Sequence, residues 1–465
     1  LLEGYKEAAM LNPIYDPLYV IDVNETRYYL ADSYEVSEDG MQITVKLKED
    51  LKWHDGEAIT ADDMIFTMDV CSDTNNGAGG SNIVILNDQP VKYEKVDDLT
   101  VKVTLPMASA SYADLLGGLT LIPEHVFEGN PSVVSAGEAN MKGIGSGPYK
   151  VTEFKQDEYL LLEKYEDYYM GAPSIDKVTF RIISDLSAQE VALMNGEVNF
   201  MELANAPAVA KYEADPNFTV VKYPEGRVNY LAVNKFCETV QDPKVVEAVF
   251  AALNRDEIIA GAYGDGMAES ANSIFSNVNT FYDPSVEGYT QDVEKAKQLV
   301  KETGLDSKTL TLYFNSERVY MKESAQIIQQ QLKNVGINLE VIPLESAGFF
   351  EKVFGTDGDY EFYLNGYGAV GDPDQVVAGM YDGTWGVNLA VSDEVSQLWK
   401  DARTVYTPEE RAAIYKQIQI QTRDELTCYP IAYPNYVFVT TSNIKGADTI
   451  KRTPVFEDYT KLTME

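Results

Sequence analysis

The chain has 465 residues, 45% of them hydrophobic, which is enough for roughly three structural units of about 150 residues each and for large buried cores. Its 37 basic and 74 acidic side chains give a formal net charge of −37. That field repels phosphate backbones, which excludes a nucleic-acid partner and makes an anionic membrane surface a poor direct one.

No apolar run approaches the ~20 residues of a membrane helix. The opening LLEGYKEAAM has no basic stretch followed by an apolar core, so it does not read as a signal peptide. In QITVKLK, Ile43, Val45 and Leu47 alternate with polar residues, and in LTVKVTLP Val101, Val103 and Leu105 do the same. Period two predicts half-buried strands. Between them stands WHDG, where His54 beside Asp55 raises the question of catalysis or metal binding. CSDTNNGAGGSN reads as a loop; Asp73 and Asn75 lack the following Glu that a calcium loop needs.

GIGSGPY (143–149) fits neither a dinucleotide loop, a P-loop nor a nucleophile elbow, so it reads as a turn. AQEVALMNG reads as a helix, and NFMEL and NYLAVN as strands. In DVEKAKQLVKETG, Val293, Ala296, Leu299 and Val300 face inward and Gly304 is the stop. TLTLYF is a strand. Met321, Ala325, Ile328, Leu332 and Val335 then share one helical face, Gly336 stops that helix, and INLEVIPL is the next strand, which makes a βαβ unit. Thr407-Pro408-Glu409-Glu410 reads as a capping box opening a helix through Leu426. Residues 240–430 thus form an α/β lobe. IAYPNYVFVTT is a late strand, far in sequence from the others. A chain that leaves one domain, builds a second and returns must cross twice, and NYLAVN and YPNYVFV are the expected crossings.

Chemistry is scarce. His54 and His125 are the only histidines and have no partner at metal-ligand spacing, so no metal and no cofactor are expected. Cys71, Cys237 and Cys428 form no CxxC pair and read as small buried apolar groups. No pair of acids falls into a catalytic pattern, and no enzyme is expected. The 31 Tyr against 17 Phe and 3 Trp suit binding, because each ring offers an apolar face with a polar tip.

The segment LADSYEVSEDG…ITVKLKEDLKWHDGEAITADDMIFTMDV closely resembles the signature of the family 5 extracellular solute-binding proteins, the oligopeptide- and dipeptide-binding receptors of ABC transporters. GSGPYKVTEFKQDEYLLLEKYEDYYMGAPSIDKVTFRII, NYLAVN, DPKVVEAVFAALNRDEIIAGAYGDG, DVEKAKQLVKETG, ESAQIIQQQLKNVGINLEV and RAAIYKQIQIQTRDELTCYPIAY follow in the family's order. The resemblance covers roughly residues 12–440; the usual strand ahead of LNPIYDPLYVID is short or absent. It implies an α/β, two-lobed periplasmic-binding-protein-like fold of type II with two hinge strands and an extra β-rich subdomain. Residues 1–20, 166–236 and 435–465 would form lobe 1, residues 21–165 the subdomain and residues 237–434 lobe 2. It implies a monomeric receptor outside the cell or in the periplasm, held at the membrane only through a lipid anchor beyond this chain. That receptor would close on its solute by hinge motion and deliver it to ABC permease subunits. His54, in the subdomain, is then structural.

Family members that grip a peptide's amino group do so with an Asp after Gly-Trp and before a DP or EP dipeptide. Here the stretch is Gly366-Tyr367-Gly368-Ala369-Val370-Gly371-Asp372-Pro373, one residue shorter, and the Asp falls on Ala369 or Val370. The resemblance also points to Tyr367 in place of the Trp and to Arg318 for a ligand carboxylate. Trp385 and Asn388 fall in the loop after the DP segment, and Asn229 and Tyr230 at the first crossing. The expected ligand is a peptide. The missing Asp leaves open an oligosaccharide or other neutral solute.

Overall fold

The alternation seen in the sequence becomes one face of a sheet. In the computed structural model the residues described are 10–21, 25–73, 80–86, 88–130, 142–203, 205–368, 371–381, 389, 391–449 and 459–465. Strands β1 (Ala31–Val36) and β2 (Gln42–Leu47), helix α1 (Ala61–Ser72), and strands β3 (Lys92–Asp97) and β4 (Thr100–Thr104) follow one another, and the sheet order is β1-β2-β4-β3. Ile43 pairs with Val103 and Val45 with Val101, so the apolar set of both strands falls on the same face, against Met64 and Met68 of α1. Thr60 and Asp63 close a capping box at the start of α1. An antiparallel meander of β5 (Tyr149–Lys155), β6 (Tyr159–Lys164) and β7 (Lys177–Arg181) comes next, then α2 (Leu186–Met194) and the short β8 (Phe200–Glu202).

The chain divides into two compact units. The first holds residues 1–203, 211–221 and 438–465, and the second residues 204–210 and 222–437. Apart from the short excursion at 204–210, the chain passes from the first to the second inside β9 (Phe218–Pro224) and returns between Val437 and Phe438, inside the last long strand. YPNYVFV therefore contains a crossing. NYLAVN does not: it lies wholly within the second unit, because its neighbours in the sheet come from that unit on both sides. The residues expected in lobe 1 and the subdomain fall together in the first unit, apart from 204–210, 222–236 and 435–437.

The second unit is built on β10 (Arg227–Val233), α3 (Pro243–Ala252), α4 (Arg255–Ala262), α5 (Val293–Thr303), β11 (Thr309–Asn315), α6 (Val319–Asn334), β12 (Asn338–Leu344), β13 (Phe362–Gly368), α7 (Asp393–Thr404), α8 (Pro408–Asp424) and β14 (Cys428–Thr441). Within it the strand order is β14-β10-β13-β11-β12. β11, β12 and β13 run parallel, and β10 is antiparallel to both of its neighbours. The βαβ unit expected at 309–344 is present. Gly304 and Gly336, both at positive φ, terminate α5 and α6 as their sequence positions predict. The capping box at Thr407 takes another form: its hydroxyl bonds the Glu410 carboxylate and caps no backbone N–H.

Both faces of this sheet are covered. Leu231 and Val233 of β10 pack into a core with α3, α4, α5 and α6. Val228, Tyr230 and Ala232 pack on the other side with Trp399 and Tyr415 of α7 and α8.

Candidate functional site

The site is clearest at the start of β10. The period of two sends Arg227 and Asn229 to one face and Val228 and Tyr230 to the other. Arg227 pairs with Gly368 and Asn229 with Gly366, so two glycines of β13 lie beside the two polar side chains. Arg227 Nη2 donates to the Gly366 carbonyl at 2.6 Å, and its Nε donates to Asn229 Oδ1 at 3.1 Å. Asn229 Nδ2 donates to the Tyr263 hydroxyl at 2.8 Å, and the Tyr263 ring stacks on Tyr320 with centroids 5.3 Å apart. Gly366 is required here: a Cβ would stand 2.0 Å from Asn229 Oδ1 and 2.9 Å from Arg227 Nε. Burial pushes the Tyr263 and Tyr320 hydroxyls up, so both stay protonated at neutral pH.

This cluster sits at the carboxyl edge of the parallel strands, where β13 ends at Gly368 and β11 at Asn315. Open α/β sheets bind ligands at that edge. Arg318 follows β11 directly, as the exposed N-cap of α6.

The expected residues divide accordingly. Asn229 faces the carboxyl-edge cluster. Tyr230 is 1% exposed and belongs to the opposite core, so it supports the sheet from behind. Tyr367 lies on that opposite side too. Its ring centroid is 5.2 Å from that of Tyr230, and its hydroxyl bonds Ile274 O at 2.7 Å and the Tyr381 hydroxyl at 3.1 Å. Ala369, Val370, Trp385 and Asn388 lie outside the described residues. Arg227, Tyr263 and Tyr320 were absent from the sequence reading. The available signal was the pair of polar residues in RVN at the head of an otherwise apolar strand.

Asp372 and Glu317 are two nearby acids that could stand in for the missing ammonium clamp, and both are engaged. Asp372 takes a two-pronged ion pair from Arg411, with Nη1 to Oδ2 at 2.7 Å and Nη2 to Oδ1 at 3.0 Å, and accepts from the Tyr415 hydroxyl at 3.2 Å. Both partners are under a tenth exposed, and Asp372 also caps the turn beginning at Pro373. Glu317 accepts from Ser346 Oγ at 2.7 Å and Ser346 N at 3.2 Å.

In the first unit His54 makes two backbone contacts: Gly145 N donates to Nδ1 at 3.1 Å, so Nε2 carries the proton and donates to Gly147 O at 2.9 Å. Burial pulls its pKa down to about 4. A ring whose two nitrogens hold the 143–149 turn is a brace, not a catalyst.

The family described as bacterial extracellular solute-binding proteins, family 5 Middle, matches residues 25–388. This chain belongs to that family. The family 5 chain superimposes on the crystal structure of AppA from Clostridium difficile with a TM-score of 0.93 at 35% identity, covering 100% of this chain and 99% of that one. It matches the oligopeptide-binding protein AppA from Bacillus subtilis, solved with a nonapeptide, with a TM-score of 0.77 at 26% identity over 98% and 93% of the two chains. It is 26% identical to the dipeptide-binding protein of Escherichia coli K12 over 93% of this chain and 86% of that protein. Members of the family bind solutes for transport. Among the described residues no helix is long and apolar enough to cross a membrane.

Proposed function

We propose that this family 5 protein is a peptide-binding receptor of an ABC importer, delivering peptides to permease subunits as a monomer held at the cell surface by a lipid anchor. The observation that carries the reading is its likeness, along nearly its whole length, to the peptide-binding AppA of Bacillus subtilis and the dipeptide-binding protein of Escherichia coli. The carboxyl edge of the second unit supports it. Backbone at Gly366 and Gly368 is flanked by Arg227 and Asn229, a surface suited to a ligand that is itself mostly backbone. The oligosaccharide alternative has no such relative among those described above.

A thermal-shift screen of peptide pools against oligosaccharide pools tests this. A ligand at 100 times its Kd adds about 2.7 kcal/mol to stability. Stabilisation by sugars alone would sink the reading. Hydrolysis of bound peptide is not expected, and peptide recovered intact after long incubation checks that. Trp53 and Trp399 are both 0% exposed, so a ligand-dependent fluorescence change is assigned to Trp385. Trp385→Phe should remove most of it. Hinge closure should appear as a smaller radius of gyration in solution scattering on adding ligand.

With Asp372 and Glu317 engaged and only Ala369 or Val370 at the clamp position, a free amino end should matter little. An N-acetylated peptide should bind within about tenfold of its free form, ~1.4 kcal/mol. A loss of a hundredfold on acetylation would mean that another acid performs the clamp.

A further inference from the structure

We propose that Arg227 receives a carboxylate of the bound peptide, so that the second unit reads the ligand's anionic group. This rests on the peptide reading above.

Four observations place that role on Arg227. Its position is the first. Arg227 lies opposite Gly368, at the carboxyl edge of the parallel strands, in a chain whose acids outnumber its bases by 74 to 37. A positive charge kept half-buried at that edge is screened less than one on the surface.

Its preparation is the second. Gly366 O and Asn229 Oδ1 each take one bond from the guanidinium, and Tyr263 fixes Asn229 in turn. The fork is oriented before ligand arrives, so little side-chain freedom is lost on binding, and its planar donors match a carboxylate.

Space is the third. Gly366 and Gly368 put bare backbone beside the guanidinium on the neighbouring strand, and both are half-buried rather than covered. A ligand main chain can approach where a side chain at 366 would collide with Asn229 and Arg227.

The surrounding field is the fourth. Arg318, at the N-cap of α6, and Arg227 both act on the Tyr320 hydroxyl, lowering its pKa against the larger raising effect of burial. Arg318 is exposed and therefore more heavily screened, so Arg227 is the stronger anchor of the two. Among the described residues, Glu225 opposes them. It raises the pKa of both Tyr263 and Tyr320, so it faces the same cluster and repels an incoming anion.

The test uses short random peptides in three pools: free acids, the same peptides amidated at the C-terminus, and free acids made without Asp or Glu. Calorimetric titration is run on the full chain. Loss of the carboxylate that Arg227 holds should weaken binding at least about tenfold. Weakening of the amidated pool assigns the C-terminal carboxylate; weakening of the pool without acidic residues assigns a side chain. In Arg227→Gln the discrimination should vanish, because the free acid and its blocked form should then bind alike. Arg227→Lys, which keeps the charge and loses the fork, should restore part of it. Glu225→Gln should tighten the free acid. If both altered pools bind the wild type within threefold of the free acids, or if the discrimination survives in Arg227→Gln, the inference falls while the peptide reading stands. If no peptide pool binds at all, the peptide reading falls and takes the inference with it. The wild-type comparison needs no variant, so a folding defect in either substitution cannot hide the answer.

Discussion

The sheet core of the first unit and the tyrosine-rich core of the second solve burial differently. In the first, Ile43, Val45, Leu47, Val101 and Val103 close against Met64 and Met68, and shape alone satisfies this aliphatic part, though Tyr19, Trp53 and Tyr112 lie in the same cluster. In the second, Tyr230, Tyr360, Tyr363, Tyr381, Tyr415 and Tyr433 pack with Trp399, Phe275 and Phe349, and each tyrosine brings a hydroxyl inside with its ring. Several hydroxyls bind this core together, while that of Tyr230 is buried without a hydrogen-bond partner among the described residues. Tyr367 reaches Tyr381, Tyr381 reaches Cys428 Sγ at 3.4 Å, Tyr433 donates to Asn272 Oδ1 at 3.0 Å, and Tyr415 donates to Asp372. An aliphatic core is tolerant in its chemistry and strict in its volume. A tyrosine core is strict in both, because a polar group left unpaired in a dry interior costs more than it gains. The stricter core backs the sheet whose other face carries Arg227 and Asn229, where the positions of polar groups decide recognition.

Four substitutions break or sharpen this contrast. The largest effect is expected at Asp372→Ala, which leaves the Arg411 guanidinium charged and buried without its carboxylate. The loss should be about 3–5 kcal/mol in urea unfolding. Replacing Asp372 and Arg411 together by apolar residues should cost much less. If the double variant is as damaged as the single, the pair does not act by charge compensation.

Next is Leu47→Ala, which removes a fully buried side chain from the aliphatic core and should cost about 2–4 kcal/mol. Leu47→Met, which keeps the volume, should cost far less. Equal costs would show that the first core is not governed by volume.

His54 comes third and is read through pH. Its folded pKa of about 4 lies below the ordinary 6.5, so the folded chain refuses a proton that the unfolded chain accepts between those values. Its contribution is therefore complete above about pH 6.5 and falls as pH drops toward 4, by about 3 kcal/mol at most. Comparing wild type with His54→Gln across that window isolates it from the many carboxylates. The variant should show the shallower slope and unchanged ligand affinity; parallel slopes would remove His54 from the account.

The smallest effect is expected at Tyr381→Phe, which deletes one hydroxyl from the Tyr367–Cys428 link without a cavity. About 1 kcal/mol is expected. Tyr381→Leu should cost several times more through lost packing. If the two cost the same, the hydroxyl is what the site needs.

Much of the fold was legible because it is local. Ile43, Val45 and Leu47 show their face by alternation. Met321 to Val335 show theirs by helical spacing, and Gly304 and Gly336 end their helices through a backbone conformation that other residues rarely adopt. The order of segments was enough to predict the family. At the site less was legible. Beyond the Arg227 and Asn229 pair the strand is apolar and buried on both sides of its sheet, so little alternation marks which residues face which way. Asn229 and Tyr230 looked equivalent in sequence, yet the strand sends one to the carboxyl-edge cluster and the other into the opposite core.

The sequence by itself determined the elements, the family and the absence of an acid at 369 and 370. Only the tertiary structure decided that Arg227, Asn229, Tyr263, Tyr320 and Gly366 form one cluster. These residues come from two strands, the end cap of α4 and helix α6, up to 139 positions apart. What joins them is the register of β10 against β13, which puts a glycine opposite an asparagine. Register follows from burying two cores at once, a property of the assembled sheet and not of any one segment.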